Sequence, residues 1–226
     1  MANALTLEPL ARALPPHVRL WAPELPGHGA HANVPFTWDA AVAQILAVID
    51  EAGEAPLVLA GDSLGGYLAL AAAVRTSTPL AGIVAGGCTY ALRGFGGALA
   101  RASDVPVRAL EALVGEARVA RVFARAFASI VYDRAFAERV AARGLAIHSR
   151  TESLRELLGR DVLALVPNIA APITFVNGAY DMPIVFGTRT YARAARRGRV
   201  AIVPCAGHAV SVLRPAEFAA EIMRYL

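Results

Sequence analysis

Leu57-Val58-Leu59-Ala60-Gly61-Asp62-Ser63-Leu64-Gly65-Gly66-Tyr67 is the stretch that decides the fold of this chain. Residues 56–61 read as a compact buried strand, and a helix is predicted from Leu64 to about Ser77. Between them lies a G-x-S-x-G motif, which leaves almost no chain for the reversal from strand to helix. A turn this tight tolerates little or no side chain two residues before and two after the serine, where Gly61 and Gly65 stand. It holds Ser63 in a strained backbone conformation and lifts its hydroxyl above the sheet, at the helix N-terminus. There the helix dipole and the backbone N–H of Leu64 can stabilise an oxyanion. Ser63 is therefore the candidate nucleophile and Leu64 the candidate oxyanion donor.

Working outward, short apolar runs alternate with amphipathic helices. Residues 18–22 form a candidate strand, followed by a loop rich in proline and glycine up to Pro35. Thr37 can cap a helix over 38–52, with Val42, Ile45, Leu46 and Ile49 on one face. Residues 80–85, 173–177 and 200–203 are further strands, a helix is expected near 184–196, and Pro215 suits the first turn of a closing helix to Leu226. Residues 88–165 contain no strand-like run and read as helices, such as 105–114 and 117–130. Continuous apolar strands alternating with helices imply an α/β protein, a parallel sheet with helices on both faces. The expected organisation is a core in two parts, 1–87 and 166–226, with a helical cap insertion over 88–165.

A nucleophilic serine needs a base, and the base needs an orienting acid. Asp181 follows the strand 173–177 in the turn Gly178-Ala179-Tyr180-Asp181, and His208 follows the strand 200–203 in Cys205-Ala206-Gly207-His208. Each lies just past the carboxyl end of a parallel strand, the edge where sites in such sheets gather.

Composition narrows the classes. The 226 residues are 56% hydrophobic and 18% charged, enough apolar surface for one α/β domain and too little charge for a disordered chain. All 22 basic residues are arginine, a codon-bias signature of a GC-rich genome. The net charge of +4 lies entirely within 88–165, which holds twelve arginines against eight acids. Interspersed acids make this a solvated helical face, with a lid attracting an anionic substrate as the sharper alternative; nothing resembles a nucleic-acid motif. Two cysteines, Cys88 and Cys205, make no disulfide framework, and residues 1–16 lack the pattern of a secretory signal. The long uncharged stretch 162–180 carries Pro167, Asn168, Pro172, Asn177 and Gly178, which fit a loop, a strand and a turn better than a membrane helix. A cytoplasmic protein with no membrane association is expected.

Four pieces of sequence resemble the α/β-hydrolase superfamily, in its group with a helical cap inserted after the strand that follows the elbow. They are Pro23-Glu24-Leu25-Pro26-Gly27-His28-Gly29, the elbow itself, Asn177-Gly178-Ala179-Tyr180-Asp181, and Ala206-Gly207-His208 with Arg214-Pro215-Ala216-Glu217-Phe218. The resemblance implies a serine hydrolase with Ser63 as nucleophile, His208 as base and Asp181 as orienting acid. It implies no cofactor and a small-molecule ester or related acyl substrate. The serine in the elbow disfavours the members that use an aspartate nucleophile. Two other classes fit the same frame: a lyase or C–C bond hydrolase acting on an anionic substrate, and a non-catalytic ligand-binding protein.

The family's first strands have no counterpart, and with them goes the His-Gly loop that donates the second oxyanion N–H. Residues 7–14 resemble the helix after that loop, and His28-Gly29 belongs to a later one. The expectation is a natural chain roughly forty residues longer at its front, from what three strands and their turns require. The alternative is an enzyme impaired by a missing hole donor.

Other residues have plainer readings. His28 and His31 have a metal-ligand spacing, but the loop offers no obvious third ligand, so no metal is expected. Cys205 reads as a small buried residue, Asp62 as the variable position of the elbow, with electrostatic tuning of the neighbouring nucleophile as the alternative, and His17 and His148 as residues with no visible partner. Phe123, Phe127, Ile130, Val131 and Phe136 read as cap core, with an acyl pocket as the alternative.

Overall fold

In a computed structural model, which describes residues 3–53, 56–131 and 133–226, four short strands pair in parallel. They are β1 (Val58–Asp62), β2 (Gly82–Gly86), β3 (Ile173–Gly178) and β4 (Gly198–Val203), in the spatial order β1-β2-β3-β4. Register is direct: Gly61 pairs with Ala85, Ala85 with Phe175, and Phe175 with Val200. Every residue of β2 and β3 is buried, as the continuous apolar runs require of strands covered on both faces.

Period-2 geometry sorts the covering helices. Gly82 and Gly86 point one way, against Tyr225 and Phe218, so α10 (Pro215–Ile222) and the residues after it cover that face. Thr174, in register with Val84, hydrogen-bonds the Tyr225 hydroxyl there at 2.7 Å. On the other face Phe175 meets Tyr191 of α8 (Thr188–Ala194) edge to face, with ring centroids 5.7 Å apart. The helix α3 (Leu64–Arg75) packs on β1 and β2 with Gly66 to Ala72 all buried. A stretch buried all round must carry no charge, and from Leu64 to Val74 this helix has none. Each fully buried Ile, Val or Phe of the strands contributes about 1.5–3 kcal/mol.

Of the remaining elements, α1 spans Glu8–Ala13 and α2 spans Trp38–Ala52. As its sequence predicts, α2 has Thr37 at its start, where Oγ1 accepts the Ala40 N–H at 3.2 Å, and it buries Val42 and Ile49. The middle of the chain is helical: α4 (Gly94–Val114), α5 (Glu116–Ile130), α6 (Arg134–Ala142) and α7 (Ile147–Leu157). Helix α4 begins eleven residues before the expected 105, with Pro106 inside it. Its glycines do not end it, because Gly97 packs where a Cβ would lie 2.7 Å from the Leu92 carbonyl oxygen. The four-residue α9 (Val210–Leu213) precedes α10.

The strand expected at 18–22 does not form. A strand exists only as part of a ladder, and among the described residues nothing pairs with this segment. Arg19, Leu20 and Trp21 stay exposed, with the Arg19 guanidinium 5.9 Å from the Trp21 ring centroid. No helix among the described residues is long and apolar enough to cross a membrane.

The chain divides into two compact units. One comprises Met1–Glu8, Ala22–Ala41 and Leu92–Arg160; the other comprises Pro9–Trp21, Val42–Ala91 and Asp161–Leu226 and holds the sheet. Within the first, Glu8 pairs with Arg139 at 2.7 Å and Glu24 with Arg143 at 3.6 Å. Acids from the front of the chain thereby balance arginines of the middle segment. Counted by unit, the charge is even: twelve arginines against ten acids in the first, ten against eight in the second.

Candidate active site

Ser63 stands between β1 and α3 with φ 54° and ψ −120°, a conformation that a non-glycine residue adopts only under constraint. Its N–H donates to the Gly86 carbonyl at 2.8 Å, which ties the elbow to β2. Gly61 is required: a Cβ there would lie 2.4 Å from the Gly65 carbonyl carbon. The expectation for Gly65 is corrected, since a Cβ at that position meets nothing within 4 Å. The second tight glycine is Gly66, whose Cβ would fall 2.7 Å from Cys88 Sγ and 2.8 Å from the Gly86 oxygen. Leu64, at the first position of α3, presents an N–H that the helix cannot bond internally.

The loops after β3 and β4 come together over Gly178. A Cβ on Gly178 would sit 2.3 Å from the carbonyl oxygens of both Ala206 and Gly207. Tyr180 N–H donates to Ala206 O and Ala179 N–H to Val203 O, each at 2.9 Å. These bonds bring Asp181 and His208 face to face: His208 Nδ1 lies 3.1 Å from Asp181 Oδ1 and 3.0 Å from Oδ2. The carboxylate is buried, with 6% of its side-chain surface exposed, while the imidazole keeps 44%. Burial pulls the His208 pKa down, but the hydrogen bond and charge of Asp181, with a contribution from Asp62, outweigh it and leave the group above its ordinary value.

Gly87 joins this pair to Ser63. It adopts φ +56°, and a Cβ there would lie 2.9 Å from His208 Cε1 and 3.2 Å from the Ser63 nitrogen, so imidazole and serine flank the same backbone. Among the described residues Ser63 Oγ makes no hydrogen bond to His208; bonds of this kind tighten when substrate binds.

Asn177 was missed by sequence reasoning. Its Oδ1 accepts the Gly87 N–H at 3.0 Å, and its Nδ2 donates to Thr89 Oγ1 at 3.0 Å and to Thr188 Oγ1 at 2.6 Å. Thr89 in turn donates to Ile184 O at 2.8 Å. This fully buried amide fixes the Gly87 backbone and the segment after Asp181 together. The signal available was one amide at the end of an otherwise apolar strand.

Several plainer readings are also corrected. Asp62 is no idle elbow position: its Oδ2 accepts the Ser211 N–H at 2.6 Å, and Oδ1 is buried without a partner. Cys205 is exposed, in a left-handed turn (φ 52°), whereas Cys88 is buried. His148 has two partners, Glu116 Oε1 at 2.8 Å from Nδ1 and Ala32 O at 3.0 Å from Nε2. Of the aromatic cluster, Phe136 is buried and tilts against Phe127 at 6.0 Å, while Ile130 is half exposed. The Nδ1 atoms of His28 and His31 face the carbonyls of Pro26 and Glu24. Among the described residues no three His, Cys, Asp or Glu side chains are grouped to hold a metal.

Comparison with known proteins bears on the frame. The sequence model of the alpha/beta hydrolase family matches residues 3–221. Lipase LipV of Mycobacterium tuberculosis is 36% identical over 70 residues, which span 30% of this chain and 27% of the lipase. A hydrolase from Pseudomonas aeruginosa PA01 superposes with a TM-score of 0.78 at 21% identity, covering 99% of this chain and 85% of that one. A thermophilic esterase from Thermogutta terrifontis superposes with a TM-score of 0.76 at 19% identity, over 99% and 85%. At these identities the superpositions speak for the fold. With its elbow, its parallel sheet and a family match over nearly its whole length, this chain belongs to the alpha/beta hydrolase family.

Proposed function

We propose that the protein is a serine hydrolase acting on a small carboxylic ester or a related acyl bond. His208 takes the proton from Ser63 Oγ as the oxygen attacks the carbonyl carbon. The negative charge that develops on the carbonyl oxygen is met by the Leu64 N–H and the N-terminus of α3. Asp181 holds the imidazole with Nδ1 protonated and Nε2 free to act as base, and stabilises the imidazolium that forms. His208 then returns the proton to the leaving alkoxide, and water attacks the acyl-serine by the same route in reverse. The chemistry so written uses no cofactor.

The observation that carries this reading is the His208–Asp181 pair standing with Ser63 around Gly87. The alpha/beta hydrolase match and the lipase and esterase among its relatives agree with it. Glu8 and Glu24 pair with Arg139 and Arg143, which leaves two fewer arginines of the middle segment to meet an anionic substrate. The test is hydrolysis of p-nitrophenyl acetate and butyrate by the protein and by Ser63→Ala. The expected result is turnover that falls by at least about 1000-fold in the variant. Equal rates in the two proteins would overturn the reading.

A further inference from the structure

We propose that the outward face of α4 and α5 is a docking surface for an anionic lipid bilayer, on which the two helices lie flat.

Helix α4 turns an apolar stripe to solvent. Phe95, Leu99, Ala102, Pro106, Leu110 and Leu113 recur at intervals of three or four residues, which sets them along one side of a helix about 30 Å long. All six are exposed, Phe95 by 85% and Leu113 by 81%. A surface helix ordinarily buries such a stripe in the core. Here the two acids of the helix sit on the opposite side instead. Asp104 is buried, pairs with Arg150 and accepts the Thr151 hydroxyl at 3.2 Å, and Glu111 is half-buried. Single exposed apolar residues need no explanation, but a continuous run of large ones marks an interaction surface.

The charge around the stripe selects the partner. Helix α5 packs on α4 within the same compact unit, and it exposes Val122 and Ile130 beside Arg118, Arg121 and Arg125. Arg101 and Arg108 are exposed along α4. Among the described residues none of these five arginines forms an ion pair. The single acid of α5, Glu116, is half-buried and accepts the N–H groups of Ile147 and His148 at 2.7 and 3.2 Å. Neither helix therefore exposes an acid. A second copy of this chain laid on the same face would set arginine against arginine. A bilayer with anionic headgroups takes both features: the apolar side chains enter the acyl boundary and the arginines stay at the phosphates. The contact is peripheral and requires no helix to cross the bilayer.

The test is co-sedimentation of the protein with vesicles of phosphatidylcholine containing about 30% phosphatidylglycerol, and with vesicles of phosphatidylcholine alone. The expected result is binding to the anionic vesicles at least about 10-fold tighter than to the neutral ones, and weakened by salt. Two variants take the surface apart at exposed positions. One carries Arg118→Gln, Arg121→Gln and Arg125→Gln together and removes charge; the other carries Phe95→Ser and Leu113→Ser and removes apolar area. Each should melt close to the parent and bind the anionic vesicles at least about 10-fold more weakly. No binding by the parent, or binding that either folded variant leaves unchanged, overturns the proposal. If one variant does not fold, the other decides alone. A parent that sediments without lipid as a dimer, and that Phe95→Ser with Leu113→Ser dissociates, assigns the face to a second copy and likewise overturns it. The readout is binding, so it stands apart from ester hydrolysis.

Discussion

At the scale of single residues, the site depends on how three backbone positions place three side chains. His208 titrates above the ordinary histidine value of about 6.5, since Asp181 and Asp62 favour its positive form over the opposing effect of burial. A general base works only when neutral, so a raised pKa moves the loss of activity to higher pH. The acid limb of kcat/KM should therefore have its midpoint above about 6.5; a midpoint below about 6 would contradict this account. Gly87 supports a second prediction. An alanine there would combine a positive φ with a Cβ 2.9 Å from the imidazole, and that carbon belongs to the catalytic histidine of the proposed mechanism. Displacing a reacting group by about 1 Å can cost about 100-fold, so Gly87→Ala should lower kcat by roughly 10- to 100-fold. The same variant, measured for KM, should change far less.

At the scale of elements, two adjacent glycines in α3 make opposite predictions. Alanine is favoured over glycine in a helix by about 1 kcal/mol. Gly65→Ala meets nothing within 4 Å and should melt at the same temperature as the parent or slightly above it. In Gly66→Ala the new Cβ meets Cys88 Sγ and the backbone oxygen of Gly86. Overpacking of this kind costs about 1–3 kcal/mol, and a backbone oxygen cannot swing aside, so the clash outweighs the propensity and the melting temperature should fall. The contrast also shows what could be read from sequence. The strands β1 to β4 and the helix α2 were legible because continuous apolar runs and a 3.6-residue stripe report burial locally. The G-x-S-x-G motif reports the turn but cannot say which flanking glycine touches another element. The segment 18–22 has a strand's composition and no partner, and pairing is a property of two segments. Asp62 meets Ser211 across 149 residues, and Asn177 meets Gly87 across 90, so neither contact left a local pattern.

At the scale of the whole molecule, charge is where sequence and structure part most clearly. Counted along the chain, the excess of four lies in 88–165. Counted by compact unit, it divides evenly, because Glu8, Glu24 and Asp39 belong to the unit that carries all twelve of those arginines and Asp161 belongs to the other. Each unit carries a formal charge of +2, and hydrolysis of a neutral ester should change by less than about 2-fold between 0.05 and 0.5 M salt. A steep fall in kcat/KM for an anionic ester over the same range would restore the anion reading. The central claim, that Ser63 is a nucleophile activated by His208 and held by Asp181, has one most direct measurement. The protein is treated with a fluorophosphonate and its adduct is mapped by mass spectrometry of peptides. The account predicts a single adduct on Ser63, absent from Ser63→Ala and strongly slowed in His208→Gln; no adduct, or one that persists in Ser63→Ala, would contradict it.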